Sequence, residues 1–428
     1  MKGEVKAVAG HVEEEMERRE EEKGKRIVMR RPDDFHVHFR QGVALRDAVR
    51  WCAGEGGFAR AIAMPNTKPP VTHAHMAEAY GREIMDALPQ ASREREGGFS
   101  ALMTLYLTDT TTPDDIYAAA RLNEEVLHVD EEDHGDGRDE RGASTSGRRP
   151  LGKDGGIVAC KLYPANATTN SSHGVSDVSR LRPVLRAMRE VGLLLLVHGE
   201  STGRLVDIFD RERVFVEETM ESLVSSEPGL KVVMEHITTA EAADFVHRNS
   251  SSGTLAATIT PQHLLLNRNA LFTPGLMPHH YCLPVLKRER HRQALLSAIA
   301  SGSPYFFLGS DSAPHSKTLG KECSCGCAGI FSSPVAMPLY AKAFEEAGAP
   351  MSQLEEFSSE RGADFYGLPR NEGRIALVQR PTKVPRTYRF GAFDDGTEDV
   401  VVPLCAGEEL AWTIEEVEED DDEHTSSS

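Results

Sequence analysis

Eight short apolar runs alternate with longer helical patterns along most of this chain of 428 residues. Each run has the length of a buried strand, and most are followed by a segment with the apolar spacing of a helix. Repeated strand–helix units indicate an α/β fold, either an open doubly wound sheet or a closed barrel. The count of eight favours a (β/α)8 TIM barrel. The runs are residues 35–39, 59–65, 100–107, 156–163, 192–198, 230–236, 255–260 and 305–311.

The pattern predicts one barrel domain over residues 27–412, closed by a C-terminal appendage. The appendage is expected from two helical patterns and two shorter strand-like pieces, TYRF and VVPLCAG, after the eighth run. Three segments lie outside the pattern. They are a charged leader (1–26) that we expect to be disordered, a flexible Gly- and Ser-rich insertion (128–152) and an acidic tail (413–428).

Acidic residues outnumber basic ones, 67 against 48, for a formal net charge of −19. Much of the excess lies in the tail, and no basic face is left for a phosphate backbone, so we expect no nucleic-acid partner.

Seven cysteines, an odd and sparse set, are not typical of a secreted disulfide framework. The N-terminus has no apolar core of a signal peptide and too many glutamates for a transit peptide. The longest apolar run, residues 192–197, is too short to span a bilayer. These features predict a cytoplasmic protein without a membrane partner, and they leave open an organellar form made from a longer precursor.

Side chains that bind metals or move protons stand at the ends of five of the runs. His36 and His38 are two residues apart, so they project from the same face, which in a barrel can be the interior. Active sites of such barrels form at the carboxyl ends of the strands, so these groups are expected to meet in one cluster that suits two metal ions. The other members are Lys161, His198, His236 and Asp311.

Each of these residues alone has a simpler interpretation. A single histidine at a strand end is more often a hydrogen-bonded core or surface residue than a ligand. Lys161 would most often be exposed or ion-paired, and Asp311 would cap the following turn. The metal hypothesis rests on their coincidence at one end of one barrel.

Lys161 is the unusual member of the cluster, because an ammonium group beside two divalent cations is electrostatically unfavourable. Reaction with carbon dioxide would convert its amine into a carbamate, an anion with one oxygen for each metal. The charges of the cluster therefore favour a modified Lys161.

Seven segments of the sequence carry a family resemblance. They are residues 31–40 (RPDDFHVHFR), 63–66 (AMPN), 161–170 (KLYPANATTN), 196–200 (LVHGE), 235–239 (EHITT), 281–284 (YCLP) and 309–315 (GSDSAPH). In this order they closely resemble the dihydroorotases of the shorter, monofunctional bacterial and plant type, within the amidohydrolase superfamily. The resemblance runs from about residue 27 to about residue 412, and the leader, the insertion and the tail touch none of its motifs.

The resemblance implies two Zn²⁺ per subunit, bridged by N6-carboxylated Lys161 and a hydroxide. The implied ligands are His36, His38 and Asp311 for the more buried zinc, and His198 and His236 for the second. The implied substrate contacts are Arg40, Asn66 and His315 for a carboxylate, Thr168 and Thr169 at the tip of a mobile loop, and the backbones of Leu283, Ala328 and Gly329. Family members are commonly homodimers, so a homodimer is expected here.

The implied activity is the reversible cyclisation of N-carbamoyl-L-aspartate to (S)-dihydroorotate plus water, the third step of de novo pyrimidine (UMP) biosynthesis. Asp311 would be the catalytic residue that carries a proton between the nucleophile and the ring nitrogen. Arg40 follows His38 on the same face and can bind a carboxylate through two parallel hydrogen bonds.

Two other functions stay open at this point. A cyclic amidohydrolase of the hydantoinase or dihydropyrimidinase type would act on rings without that carboxylate, so Arg40 and Asn66 argue against it. A catalytically inactive barrel acting as an assembly partner predicts a missing ligand, whereas all six ligand positions are filled. A thiolate zinc site at Cys323–Cys327 is disfavoured, because the run lacks the usual C-x₂-C spacing.

Overall fold

The computed structural model describes residues 25–94, 98–132, 156–324, 326–392 and 398–417. A first strand, β1 (Arg26–Arg30), precedes a sheet of eight parallel strands that follow one another in chain order. These are β2 (Asp33–Val37), β3 (Arg60–Ala63), β4 (Ser100–Tyr106), β5 (Ile157–Leu162), β6 (Leu194–Val197), β7 (Val232–Met234), β8 (Leu255–Ile259) and β9 (Phe306–Leu308). Each overlaps one of the eight predicted runs, so the α/β prediction is confirmed.

The first and last strands of this sheet meet and close it into a barrel. The backbone N–H of Asp311 donates to the carbonyl of His36 (2.9 Å), and that of His38 donates to the carbonyl of Ser312 (3.1 Å). A closed barrel of eight parallel strands brings all their carboxyl ends to one rim. The choice of a TIM barrel over an open sheet is therefore confirmed.

The barrel strands are buried along their whole length, as parallel strands covered on both faces must be. Part of the apolar interior is a ring cluster in which Phe35 lies 5.2 Å from Phe307 and 4.9 Å from Tyr366, measured between ring centroids. Edge-to-face and offset contacts of this kind stabilise a core beyond the area they bury.

Helices cover the barrel strands and the appendage. The helix Ala240–Asn249 is capped at its N-terminus, because the Thr239 hydroxyl accepts from the N–H of Ala242 (3.2 Å). The helices are Val43–Arg50, Ala74–Asp86, Gln90–Glu94, Pro113–Glu132, Arg182–Val191, Arg211–Phe215, Glu221–Ser226, Ala240–Asn249, Pro261–Leu265, Glu289–Ala300, Ala336–Glu346, Met351–Glu355 and Arg361–Tyr366.

The appendage combines both ends of the described chain. Strand β10 (Arg374–Val378) lies between β1 and β15 (Thr413–Glu416) in an antiparallel sheet. Two short pairs complete it, β11 (Thr382–Lys383) with β14 (Glu409–Leu410), and β12 (Tyr388–Ala392) with β13 (Glu398–Val401). The appendage thus includes a strand ahead of the barrel and the first residues of the segment predicted as a tail.

Several predicted segments fall largely outside the described residues. They are most of the leader, the insertion beyond the helix Pro113–Glu132, and the tail from residue 418 onward. In the part of the chain that is described, no helix is long and apolar enough to cross a membrane.

Candidate active site

A cavity of about 350 Å³ opens at the carboxyl ends of the barrel strands, and it gathers most of the predicted site residues. The predicted residues in its wall are His36, His38, Arg40, Asn66, Thr168, Thr169, His198, His236, Leu283, Asp311, Ala328 and Gly329. Tyr163 and Ala313 also line it and were not predicted. Lys161 and His315 stand behind the wall, each in contact with another residue of the site.

The first part of the cluster joins the two ends of the barrel sheet. His36 lies in β2 and His38 directly follows it, while Asp311 follows β9. The Asp311 Oδ1 atom lies 3.3 Å from Nε2 of His36 and 3.1 Å from Nε2 of His38. One ligand atom from each residue lies within 4.8 Å of the others, so these three side chains could hold one metal ion.

The second part of the cluster comes from the ends of β6 and β7. His198 Nδ1 lies 3.2 Å from His236 Nε2, and Glu200 Oε2 lies 2.8 Å from His198 Nε2. Glu235 also enters this group, with Oε1 at 3.0 Å from Nδ1 of His36. A carboxylate beside a ligating histidine fixes the ring orientation and tautomer, so Glu200 is a natural support for His198.

Lys161 lies in β5, with no part of its side chain exposed. Its amine is ion-paired with the carboxylate of Glu235, which is also fully buried, and it lies 5.0 Å from the ring centroid of Tyr163. Burial lowers the pKa of Lys161 well below its usual range, although Asp311 acts in the opposite direction. The lysine therefore touches the cluster through Glu235.

Burial lowers the pKa of all four clustered histidines, to about 4 for His38 and well below the usual range for His236. Neutral imidazole is the form that binds a metal ion. The Nδ1 atom of His236 is buried and has no hydrogen-bond partner among the described residues. Neutral rings, a carboxylate and an unpartnered buried nitrogen make this donor set fit metal binding.

Asp311 is ionised in this setting. Burial alone would raise its pKa, but contacts with His36 and His38 outweigh burial and hold the pKa well below its usual range. Asp311 (φ 47°) and His236 (φ 43°) both adopt a left-handed backbone, as does Arg40 (φ 66°). Left-handed residues other than glycine are rare and are concentrated at functional sites.

Arg40 supplies a guanidinium group to the cavity. Its Nε donates to the carbonyl of Pro314 (2.8 Å), and Nη2 lies 2.9 Å from Nε2 of His315. Within the described chain no carboxylate lies within 4.0 Å of this guanidinium. His315 thus contacts Arg40 from behind instead of lining the cavity, and Arg40 is left to bind an anion.

The loop with Thr168 and Thr169 lies against two other parts of the wall. Asn66 Nδ2 donates to the carbonyl of Thr169 (3.1 Å), and the Thr169 hydroxyl donates to the carbonyl of Ala328 (3.4 Å). The Asn66 amide is therefore engaged with the loop, while it also lines the cavity.

Lys321 holds together two loops that form the far wall, and sequence reasoning missed it. Its Nζ donates to the carbonyls of Tyr281 (2.9 Å), Cys327 (2.8 Å) and Gly329 (2.7 Å), which uses all three of its protons. These carbonyls belong to the segments that contribute Leu283, Ala328 and Gly329 to the cavity.

Two buried acids were also missed. Glu235 precedes the predicted ligand His236, and Asp34 lies two residues before His36. Asp34 accepts from the backbone N–H of Ser310 (2.8 Å) and of His36 (3.2 Å), which ties β2 to the segment after β9. In the sequence, these two acids are marked only by lying within two positions of a predicted metal ligand.

Comparison with known proteins gives this site its context. A model of the amidohydrolase family matches residues 34–380. The mitochondrial dihydroorotase of Oryza sativa subsp. japonica is 49% identical over 387 residues, 90% of this chain and 84% of that protein. The dihydroorotase of Laribacter hongkongensis is 48% identical over 388 residues, 91% of this chain and 99% of that protein. The chain belongs to the dihydroorotases of the amidohydrolase family.

Solved structures agree with this membership. A crystal structure of Saccharomyces cerevisiae dihydroorotase in complex with 5-fluoroorotic acid matches 92% of this chain and 99% of that chain, with a TM-score of 0.75 and 28% identity. An L-hydantoinase from Arthrobacter aurescens matches 91% of this chain and 83% of its own, with a TM-score of 0.65. At 15% identity the hydantoinase shares the fold alone.

Proposed function

We propose that the chain is a dihydroorotase, which reversibly cyclises N-carbamoyl-L-aspartate to (S)-dihydroorotate plus water in pyrimidine biosynthesis. One observation carries the proposal: a single cavity joins a cluster of neutral histidines and an ionised aspartate to the guanidinium of Arg40. Hydrolysis of a cyclic amide needs the cluster, and an acidic substrate needs the guanidinium.

Amidohydrolases are generally metal-dependent, and we infer two zinc ions here. His36, His38 and Asp311 would hold one ion and His198 and His236 the other, with a carboxylated Lys161 reaching both. When bound, the ions supply Lewis acidity and lower the pKa of a water so that a nucleophile is present near neutral pH.

The charge balance of the cluster supports carboxylation of Lys161. Its side chain is fully buried and interacts electrostatically with His36, His198 and His236, so an ammonium there would repel two added divalent cations. Addition of carbon dioxide to the neutral amine forms an N–C bond and releases one proton, which leaves an anion. Mass spectrometry of the intact holoenzyme would detect this adduct.

Asp311 is the group we assign to proton transfer. Because it is ionised, it can accept a proton from the attacking nucleophile and give it to the ring nitrogen as the ring opens. In the biosynthetic direction it removes a proton from the carbamoyl nitrogen. Its contacts with His36 and His38 hold the carboxylate at the centre of the cluster.

Arg40 is the group we assign to the substrate carboxylate, with Asn66, Thr168 and Thr169 closing the site around it. A planar guanidinium suits bidentate binding of a carboxylate. Hydantoins and dihydropyrimidines lack this carboxylate, so the residue favours dihydroorotate over the substrates of the related cyclic amidohydrolases. His315 would act through Arg40 by holding its guanidinium.

The function is tested by ring opening of dihydroorotate, followed as loss of ultraviolet absorbance. We expect activity in the zinc-loaded wild type and near-complete loss in Lys161→Ala and Asp311→Ala; unchanged activity in either variant contradicts the mechanism.

Dihydrouracil, which lacks the carboxylate, should react far more slowly than dihydroorotate in the wild type. Arg40→Gln should reduce this preference, and a purified protein without zinc or activity would favour the inactive barrel.

We also propose that the protein is a cytoplasmic homodimer with no nucleic-acid partner. The negative net charge supports the last point. The names of two plant relatives place those proteins in mitochondria, so fractionation of cells is needed to separate a cytoplasmic from an organellar form. Sedimentation of the purified enzyme tests the dimer.

A further inference from the structure

A second cavity, of about 510 Å³, lies where the segment 207–210 meets the start of the helix Glu289–Ala300. It shares no lining residue with the cavity described above. Four cationic side chains line it, and only two carboxylates do. The cations are Arg268, Lys287, Arg288 and Arg290. This local excess of positive charge is opposite in sign to the net charge of the chain, −19.

Among the described residues, three of these cations form no direct ion pair. Over the described ranges, no carboxylate oxygen lies within 4.0 Å of the charged groups of Arg268, Lys287 or Arg288. Elsewhere on this protein exposed arginines commonly pair with acids, as Arg370 does with Asp364 (2.7 Å). What distinguishes this cavity is that three such cations line the same space.

The two carboxylates of the cavity do not neutralise it. Asp207 Oδ1 accepts from the backbone N–H of Phe209 (2.8 Å). Asp210 Oδ1 lies 3.8 Å from Nε of Arg213, which is outside the cavity. Counted over the lining side chains, four cations against two carboxylates still leave an excess of positive charge in the cavity.

Lys287 is the strongest sign that a ligand belongs here. It is only 4% exposed, and its Nζ donates to one carbonyl, that of Val285 (2.8 Å). The buried carboxylate of Glu212 attracts this ammonium without a direct hydrogen bond to it, and both oxygens of Glu212 accept from Thr238 and Thr239. A buried ammonium with one acceptor for three protons is costly unless an anion joins it.

The remaining groups indicate which anion would fit. Arg268 lies 5.3 Å over the ring of Phe209, and its backbone N–H donates to the carbonyl of Lys287 (2.7 Å), so the two cations are held together. Guanidinium groups beside a lysine are typical of phosphate recognition. We propose that this cavity binds a phosphate monoester, a small metabolite whose dianionic head meets Arg268, Lys287 and Arg288.

The test is calorimetric titration of the zinc-loaded full chain with ribose 5-phosphate at constant ionic strength. We expect one site per chain in the wild type and binding at least about tenfold weaker in Arg268→Gln/Arg288→Gln, a loss of about 1.4 kcal/mol. The control double variant Arg46→Gln/Arg182→Gln removes the same charge from exposed positions and should bind like the wild type. Neither double variant touches the first cavity, so ring opening should be unchanged.

Several outcomes overturn the proposal. If ribose 5-phosphate does not bind, or if its affinity falls equally in both double variants, this cavity is not a specific phosphate-binding site. Full binding in Arg268→Gln/Arg288→Gln places the ester outside this cavity. A second titration uses succinate at the same ionic strength. If succinate binds at this site with equal or higher affinity than ribose 5-phosphate, the cavity is assigned to dicarboxylates instead.

Discussion

The amine of Lys161 contacts the carboxylate of Glu235, and neither side chain is exposed to solvent. A carbamate on Lys161 would instead set two anions side by side, so this contact suits the unmodified amine. Removing one partner of a buried pair leaves an uncompensated charge, which is strongly destabilising. Glu235 therefore stabilises this part of the barrel while Lys161 is an unmodified amine.

We expect Glu235→Gln to lower the unfolding free energy of the metal-free protein by about 3 kcal/mol. Urea unfolding in the presence of a chelator measures this loss. The control is Glu322→Gln, which removes a partly exposed acid that contacts His279 (3.0 Å) and Lys317 (3.4 Å) and should cost less than about 1 kcal/mol. Equal losses of unfolding free energy in the two variants would mean that the buried pair stabilises the protein no more than a surface contact does.

Gly329 is placed where no side chain fits. A Cβ atom there would lie 2.8 Å from the Cβ and the carbonyl oxygen of Ala313 and 2.9 Å from Cδ2 of His315, and its φ of 148° disfavours other residues. Because His315 contacts Arg40, we expect Gly329→Ala to reduce kcat/KM at least about tenfold, a loss of about 1.4 kcal/mol. Gly275→Ala, with no atom within 4 Å of its Cβ, is the matched control. Wild-type kinetics in Gly329→Ala would show that the wall can move freely.

The barrel and the centre of the cluster could be predicted because both depend on local patterns. A strand buried on both faces is apolar throughout, so it is recognisable as a run, and a His or Asp at its end is conspicuous. His236 and Asp311 were found in this way. All the barrel strands except β2 are shorter than the predicted runs, since polar ends such as Gly309–Asp311 leave the sheet to form the site.

What could not be predicted depends on contacts between distant segments. Strand β1 pairs with β10, with Ile27 opposite Leu377, and nothing near Ile27 specifies that partner. Lys321 belongs to a residue type that is usually exposed, and only the folding of two loops around its Nζ buries it. Glu235 is hidden for the same reason, because its partner Lys161 lies on another strand.

Lys321 is a positioning residue for the far wall of the first cavity. We expect Lys321→Met to raise KM about tenfold with a smaller change in kcat, because three carbonyls lose their shared donor and the loops with Leu283 and Gly329 separate. Steady-state kinetics with dihydroorotate separates the two constants. Lys317→Met, four residues earlier, removes a surface contact with Glu322 and should leave KM unchanged. A loss of stability without a change in KM would assign Lys321 a purely structural role.

His263 introduces a pH dependence of stability through a ring that is not one of the proposed metal ligands. Its ring is buried, with Nδ1 at 2.7 Å from the Thr260 hydroxyl and Nε2 at 3.0 Å from the carbonyl of Pro284. Burial lowers the pKa of His263 to about 4, below the value of about 6.5 expected in the unfolded chain. Between these values the unfolded state binds the extra proton, so the stability contributed by neutral His263 is lost as the pH falls.

We therefore expect the difference in unfolding free energy between wild type and His263→Gln to shrink by about 1 kcal/mol from about pH 7.5 to about pH 5.5. The comparison cancels the titration of the other buried histidines, which both proteins share. Urea unfolding at each pH measures the difference, and His247→Gln, at an exposed position, should show no such trend. If the difference stays constant or grows as the pH falls, His263 is not the group that takes up the proton on unfolding. A histidine that burial keeps neutral can only lose stabilising effect as the pH falls.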